Sequence, residues 1–286
     1  MINGPGLKMS ERIIAICSPE LHGDMLWSVP AARALAARHG CRADFWISHR
    51  GGNAADLLEA QSFVRHAIVE KSWYMDGDCS TVEVVDGVQV RTLRGKSHII
   101  HNAFRPEHGY EMVYNLGFSE TKELNGTLLD YFCDLAGVGR QSHYFDLPSD
   151  CPKEPVPEGP FVALEGKYKP EATRTGWWDV FRDFVKHCPI PVVEVCPPGR
   201  TCALDLGSID RARDGFLEMA GVISKCKYYI GNISAPLVVA DAFPHVIRIG
   251  VYQGDVDLRH CTKSEKNFYP RAAEYQELLN YIEEAK

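Results

Sequence analysis

The stretch His22-Gly23-Asp24-Met25-Leu26-Trp27-Ser28-Val29-Pro30-Ala31-Ala32-Arg33-Ala34-Leu35 decides the fold. Directly before it, Arg12-Ile13-Ile14-Ala15-Ile16-Cys17 is a short, nearly all-apolar run followed by the turn signals Ser18-Pro19, which predicts a buried strand. After it, Ala31 to Arg38 is rich in strong helix formers and stops at Gly40, a helix-terminating residue. The unit reads as strand, loop with Gly23, helix. In an open α/β sheet the loop leaving a strand's carboxyl end opens onto the crevice where ligands bind. Asp24 then stands at the mouth of that crevice, near the positive end of a helix, as either a cap or a working carboxylate.

Outward from this unit the same alternation continues. Ala43 to Ser48 reads as a second strand, Ala54 to Gln61 as a helix and His66 to Val69 as a strand. Valines alternate with polar residues from Thr81 to Leu93 about Asp86-Gly87, a hairpin signal. Tyr110 to Gly117 predicts another strand, and Leu128 to Leu135 a helix stopped by Gly137. Between Leu147 and Pro160 the chain carries Pro148, Pro152, Pro155, Pro157 and Pro160, which exclude helix and sheet interior and make a stiff connection. We place a domain boundary there: a first domain over 1–147, a linker over 148–160 and a second domain over 161–286.

The second half restarts the pattern. Strands are expected at Pro160–Glu165, Pro191–Cys196, Lys227–Ile230 and His245–Val251. Helices are expected at Trp177–His187, Phe216–Cys226 and Pro236–Phe243, with a final amphipathic one over Tyr269–Lys286. Alternation in both halves implies parallel sheets with right-handed crossovers. The fold class is therefore α/β, with two Rossmann-like domains facing each other across a cleft, a preferred place for ligands.

Composition bounds the partners. The 286 residues are 45% hydrophobic and 24% charged, with a net charge of -7 that argues against a nucleic-acid surface. No apolar run approaches the length needed to span a bilayer, which leaves peripheral contact as the only expected membrane association. The first ten residues lack the apolar core of a secretion signal, so a cytoplasmic protein is expected. Ten cysteines, among them Cys17, Cys133, Cys196 and Cys226 in apolar contexts, read as buried free thiols of a reducing compartment. Cys188, Cys196 and Cys202 lack the paired spacing of zinc sites. Asp76-Gly77-Asp78 and Asp255-Val256-Asp257 have the form of metal-binding Asp-x-Asp pairs, a form that is also common in turns. His98 and His101 are spaced for one helix face within an ambiguous segment. No Gly-x-Gly-x-x-Gly follows the first strand and no Gly-x-Ser-x-Gly elbow is present.

Two motifs, in the right order, resemble the lipopolysaccharide heptosyltransferases, glycosyltransferase family nine, which have the two-domain GT-B fold. The family's Gly-Asp followed by a Pro-Ala matches Gly23-Asp24 and Pro30-Ala31. Its Gly-Asn-Asp-Ser-Gly-Pro loop, between a strand and a small-residue helix, is similar to Gly231-Asn232-Ile233-Ser234-Ala235-Pro236. The order of elements agrees over nearly the whole chain. The departures fall on the second loop: Ile233 replaces the family's acid, Ala235 its glycine and Val238 its histidine, and Gly176 stands where the family carries a lysine.

The resemblance implies a metal-independent glycosyltransferase that uses no cofactor. The donor it implies is a nucleotide diphosphate sugar, ADP-heptose-like as the first guess, and the acceptor hydroxyl belongs to a glycan or lipid-linked partner. Asp24 is its candidate catalytic base beside Gly23. Gly231, Asn232, Ser234, Ala235 and Pro236 are the candidate diphosphate loop, with Ser234 as helix cap or phosphate donor. Lys167, Lys169 and Arg174 are candidate cations for the leaving diphosphate, and Glu194 a candidate ribose or base contact at a strand end. The competing reading is a non-catalytic binding protein that keeps the scaffold, favoured by Ile233 and Val238.

Overall fold

The computed structural model describes residues 13–18, 22–48, 51–70, 74–79, 82–85, 88–92, 95–98, 110–116, 126–153, 155–166, 177–195, 215–251, 267–268 and 274–284. The first half contains β1 (Ile14–Cys17), α1 (His22–His39), β2 (Ala43–Ser48), α2 (Ala55–Glu59), β3 (Val64–Glu70) and β4 (Tyr74–Cys79). It continues through β5 (Val82–Val85), β6 (Val88–Thr92), β7 (Gly95–His98), β8 (Met112–Asn115) and α3 (Leu128–Leu135). The second half contains β9 (Val162–Glu165), α4 (Trp177–His187), β10 (Val192–Val195), α5 (Gly215–Lys225) and β11 (Tyr228–Gly231). It ends with α6 (Ala235–Asp241), β12 (Ile247–Gly250), β13 (Asn267–Phe268) and α7 (Tyr275–Glu284). The described residues between Leu147 and Pro160 form neither helix nor strand.

The strands form two large sheets and a separate antiparallel pair, β4-β7. The first has six strands in the order β3-β2-β1-β8-β6-β5, parallel except for β5, which pairs antiparallel with β6. Val85 lies opposite Val88 in that pair, as the alternating valines imply. The second sheet, β10-β9-β11-β12-β13, is wholly parallel. In each, the chain builds outward on one side of its first strand and then returns to the other side. That reversal opens a crevice over the carboxyl ends of β1 and β8, and another over those of β9 and β11. The architecture is α/β with two doubly wound sheets.

Helix α1 begins earlier than its local sequence implies: it starts at His22, so Gly23 and Asp24 lie in its first turn and Pro30 in its interior. A mid-helix proline removes one backbone bond and costs about 3 kcal/mol on its own. Burial overrides that cost, because Met25 to Ala32 are all buried in unbroken succession. Ser28 returns its hydroxyl to the Met25 carbonyl at 2.7 Å, which satisfies the buried hydroxyl in this run. The helix is surrounded: it packs on α3 of its own half and on α6 of the other.

Residues alternate across the second sheet. Val162, Leu164, Tyr228, Ile230, Ile247 and Ile249 pack under α4 and α7 with Phe181, Phe184, Leu278 and Ile282. Phe161, Ala163, Val193, Val195 and Tyr229 face the other way, into a larger core that also holds Ile14, Met25, Trp27 and Phe45 from the first half. A parallel sheet covered on both faces is why these strands read as continuous apolar runs. The larger core is common to both halves, while the one under α4 and α7 belongs to the second half alone.

Candidate active site between the two sheets

Gly23 brings the two halves together at the site. A Cβ on Gly23 would lie 3.9 Å from the backbone nitrogen of Ala235, so the first turn of α1 and the start of α6 meet. Each helix follows a strand whose carboxyl end borders its sheet's crevice, β1 for α1 and β11 for α6. The two crevices therefore open toward each other. Asp24, half-buried, lies in this junction. Its place inside the first turn rules out the helix N-cap reading, and its charge still favours the positive end of the helix. The His22 ring, one residue before Gly23, stacks on Phe216 of α5 at 5.1 Å and 14° between planes.

On the other side of the junction stands Glu165, the last residue of β9. It is 4% exposed, and its Oε2 accepts two hydroxyls: Ser234 Oγ donates at 2.6 Å and Tyr229 Oη at 2.8 Å. The register explains the cluster. Tyr228 and Ile230 of β11 pair with Val162 and Leu164 of β9, which carries Gly231 beside Glu165. A Cβ on Gly231 would sit 2.7 Å from the Glu165 Cβ and closer still to Tyr229 Oη, so only glycine fits there. Burial and the adjoining Glu165 charge push the Tyr229 phenol well above its ordinary range and keep it a hydrogen-bond donor.

Of the two roles expected of Ser234, helix cap is not one that its side chain takes. Its side chain makes no capping bond to α6, although its backbone carbonyl accepts from Leu237 and Val238 at 3.1 and 3.3 Å. A hydroxyl has one proton, and the short bond to a carboxylate takes it in preference to the Asn232 carbonyl at 3.4 Å. In this geometry Ser234 has no proton left for a phosphate. Pro236 sits in the first turn of α6, where its missing N–H costs nothing. Asn232 is half-buried in the loop, and Ile233 packs against the shared core.

Glu194 is not brought into this cluster. It lies one residue before the end of β10, is 1% exposed and pairs with Leu164, whose side chain packs under α4 and α7. Val195 is the neighbour of Glu165, so Glu194 occupies the sheet's opposite face. An exposed strand-end contact is therefore not its position. Lys167, Lys169, Arg174 and Gly176, together with His101, Cys196, Cys202, Asp255 and Asp257, lie outside the described residues. Among the described residues no three His, Cys, Asp or Glu side chains gather as a metal site, and no helix is long and apolar enough to cross a membrane. Cys17, Cys41, Cys133, Cys151, Cys188 and Cys226 are free thiols. Cys17, Cys133 and Cys226 are buried as expected, and burial pushes the Cys226 thiol up to about 12.

Sequence reasoning passed over Glu165. The one available signal was an acid closing the apolar run Phe161–Leu164 just before Gly166, at a strand end that borders the crevice. It also passed over Asp56 and His143, which join the halves behind the site. The Asp56 carboxylate accepts the Leu217 N–H at 3.0 Å, at the start of α5. Burial raises the Asp56 carboxyl above its ordinary range, an effect opposed by the backbone donors of Leu217, Leu57 and Phe216. His143 Nδ1 lies 3.1 Å from Asp241 Oδ2, with its ring packed between Trp27 and Phe145.

No sequence-family model matches the chain, and no curated protein matches it closely enough in sequence to count as a relative. Solved structures do match. The E. coli heptosyltransferase WaaC with ADP-2-deoxy-2-fluoro heptose has a TM-score of 0.59 at 13% identity, covering 96% of this chain and 100% of that one. E. coli ADP-heptose lps heptosyltransferase II reaches 0.64 at 13% identity, covering 96% and 98%. A glycosyl transferase of family 9 from Veillonella parvula reaches 0.57 at 11% identity, covering 98% and 90%. Over nearly its whole length, then, the chain has the fold of the GT-B glycosyltransferases and is similar in structure to the heptosyltransferases that its two motifs resemble.

Proposed function

We propose that this protein transfers a sugar from a nucleotide diphosphate sugar to an acceptor hydroxyl, without a metal. The observation that carries the reading is the meeting of Gly23-Asp24 with the Gly231–Pro236 loop at the facing carboxyl ends of two doubly wound sheets. A crevice of this kind seats an activated sugar on one wall and leaves an acid on the other wall for the attacking hydroxyl. One structural neighbour, the E. coli heptosyltransferase WaaC, was solved both with ADP and with ADP-2-deoxy-2-fluoro heptose, which supports an ADP-heptose-like donor. The acceptor in this reading is a glycan or lipid-linked hydroxyl. Residues 1–147 form the acceptor-side domain, 161–286 the donor-side domain and 148–160 their linker. Buried, unbridged thiols fit a reducing, cytoplasmic setting.

In this mechanism Asp24 accepts the acceptor's proton as its oxygen attacks the anomeric carbon. The nucleotide diphosphate leaves, its charge met by Lys167, Lys169 or Arg174 from the segment after β9. The test is a panel of nucleotide sugars, scored for thermal stabilisation, donor hydrolysis and transfer. Stabilisation with turnover, lost in Asp24→Asn while stabilisation persists, is the expected result. Transfer at an unchanged rate by Asp24→Asn removes Asp24 as the base.

A second reading, a binding protein without turnover, has its own observation. Val238, which takes the place of the family's histidine, is only 5% exposed and packs in the core, and Ile233 packs against that core. Stabilisation by a nucleotide sugar with neither hydrolysis nor transfer, candidate acceptors included, supports that reading.

A further inference from the structure

Because the Ser234 proton is held by Glu165, what Ser234 offers to the crevice is lone pairs. We propose that the Glu165–Ser234 pair takes a hydroxyl of the bound nucleotide sugar, ribose or transferred sugar, and does not hold its diphosphate. The inference rests on the nucleotide-sugar reading and deepens it.

Three features support it. The pair sits at the topological switch point of the second sheet, between the ends of β9 and β11, where ligands of such sheets are seated. Ser234 is half-buried, while Glu165 behind it is almost wholly enclosed. The carboxylate is also fixed: Tyr229 donates to the same oxygen, and the absent side chain of Gly231 leaves room for both groups. A buried carboxylate 2.6 Å behind Ser234 repels a phosphate oxygen and strengthens the serine as an acceptor. A sugar or ribose hydroxyl brings the proton that this arrangement lacks. Glu165 is thus a positioning residue, acting on the ligand through Ser234.

The experiment measures dissociation constants of the full chain by calorimetry for ADP, 2′-deoxy-ADP, 3′-deoxy-ADP, ADP-glucose and inorganic pyrophosphate. Wild type is compared with Ser234→Ala, Ser234→Thr and Glu165→Gln. A lost neutral hydrogen bond corresponds to about a tenfold change in affinity. If the ribose is read, Ser234→Ala weakens ADP about tenfold and leaves the relevant deoxy analogue unchanged. If the transferred sugar is read, the loss is confined to ADP-glucose. Ser234→Thr restores the affinity, and pyrophosphate binding is unaffected by Ser234→Ala. Glu165→Gln removes the buried negative charge behind Ser234 and tightens pyrophosphate binding. The inference is overturned if Ser234→Ala weakens pyrophosphate, or if it changes no nucleotide while wild type binds them. If no nucleotide or nucleotide sugar binds wild type, the nucleotide-sugar reading itself fails and takes this inference with it. The serine variants decide the outcome by themselves even where Glu165→Gln fails to fold.

Discussion

The Asp56 carboxylate, on the short helix α2 of the first half, caps helix α5 of the second half through the Leu217 N–H at 3.0 Å. Helix α5 thus takes a cap from a residue 161 positions away in the sequence. Gly215, at φ +89°, allows the approach, since a Cβ there would run into the Asp56 carboxylate. Removing a capping side chain costs about 1–2 kcal/mol. Asp56→Ala should therefore lower stability by that amount in chemical denaturation, with the m-value unchanged.

The same carboxyl has a pH signature. Its folded-state pKa is raised by burial, so the folded protein takes up this proton before the unfolded chain does. Its contribution to stability is present in full below the ordinary value of 3.8 and is lost as pH rises through the raised folded value. Compared with Asp56→Asn, wild type should gain relative stability as pH falls through that window. Paired thermal melts across the acid range would show this; a constant difference between the two proteins would refute it.

Gly215→Ala should be worse than Asp56→Ala. It combines a left-handed backbone position with a direct clash, and strain of this kind costs about 1–3 kcal/mol before the cap is lost. The double variant Gly215→Ala, Asp56→Ala removes the clash and should recover part of the loss. A double-mutant cycle from urea midpoints measures the recovery.

Asp24 separates two roles by magnitude. As a charge in the first turn of α1 it contributes about 0.3–1 kcal/mol to stability. As a general base it contributes about 10²–10⁴ in rate. Asp24→Asn should therefore melt within a few degrees of wild type and lose nearly all transfer. A large stability loss with retained transfer would reverse that assignment.

His143→Ala removes a ring packed between Trp27 and Phe145 and takes away one partner of Asp241. Asp241 keeps Arg248, whose Nε lies 3.5 Å from its Oδ1. A cavity of this size in a core costs about 2–4 kcal/mol. The denaturation midpoint should shift accordingly, with no change in the affinity of any nucleotide that wild type binds.

Most of the fold was legible because its signals are local. Strands such as Val162–Glu165 and Tyr228–Gly231 are buried on both faces and read as apolar runs, and the hairpin of β5 and β6 is written in alternating valines. The start of α1 was not legible. Gly23 and Pro30 look like breakers until the burial of Met25 to Ala32 is known. The polar pairs of the site were harder still. Glu165 with Ser234, Asp56 with Leu217 and His143 with Asp241 are separated by 69, 161 and 98 residues, and no periodicity links positions so far apart. Ser234 was recognised as a loop hydroxyl, but which way it spends its proton depends on a neighbouring strand.

The apolar interior that runs unbroken from Ile14 and Met25 through to Met219 and Val239 bears on how this molecule comes apart. Two lobes connected by a tether alone would melt independently and give two calorimetric peaks. Here damage to either lobe strips cover from the other, so scanning calorimetry should record a single cooperative endotherm. Either lobe produced as a separate fragment would bare the contact faces of α1 or α6 and should aggregate, while co-expressed fragments should rescue each other's solubility.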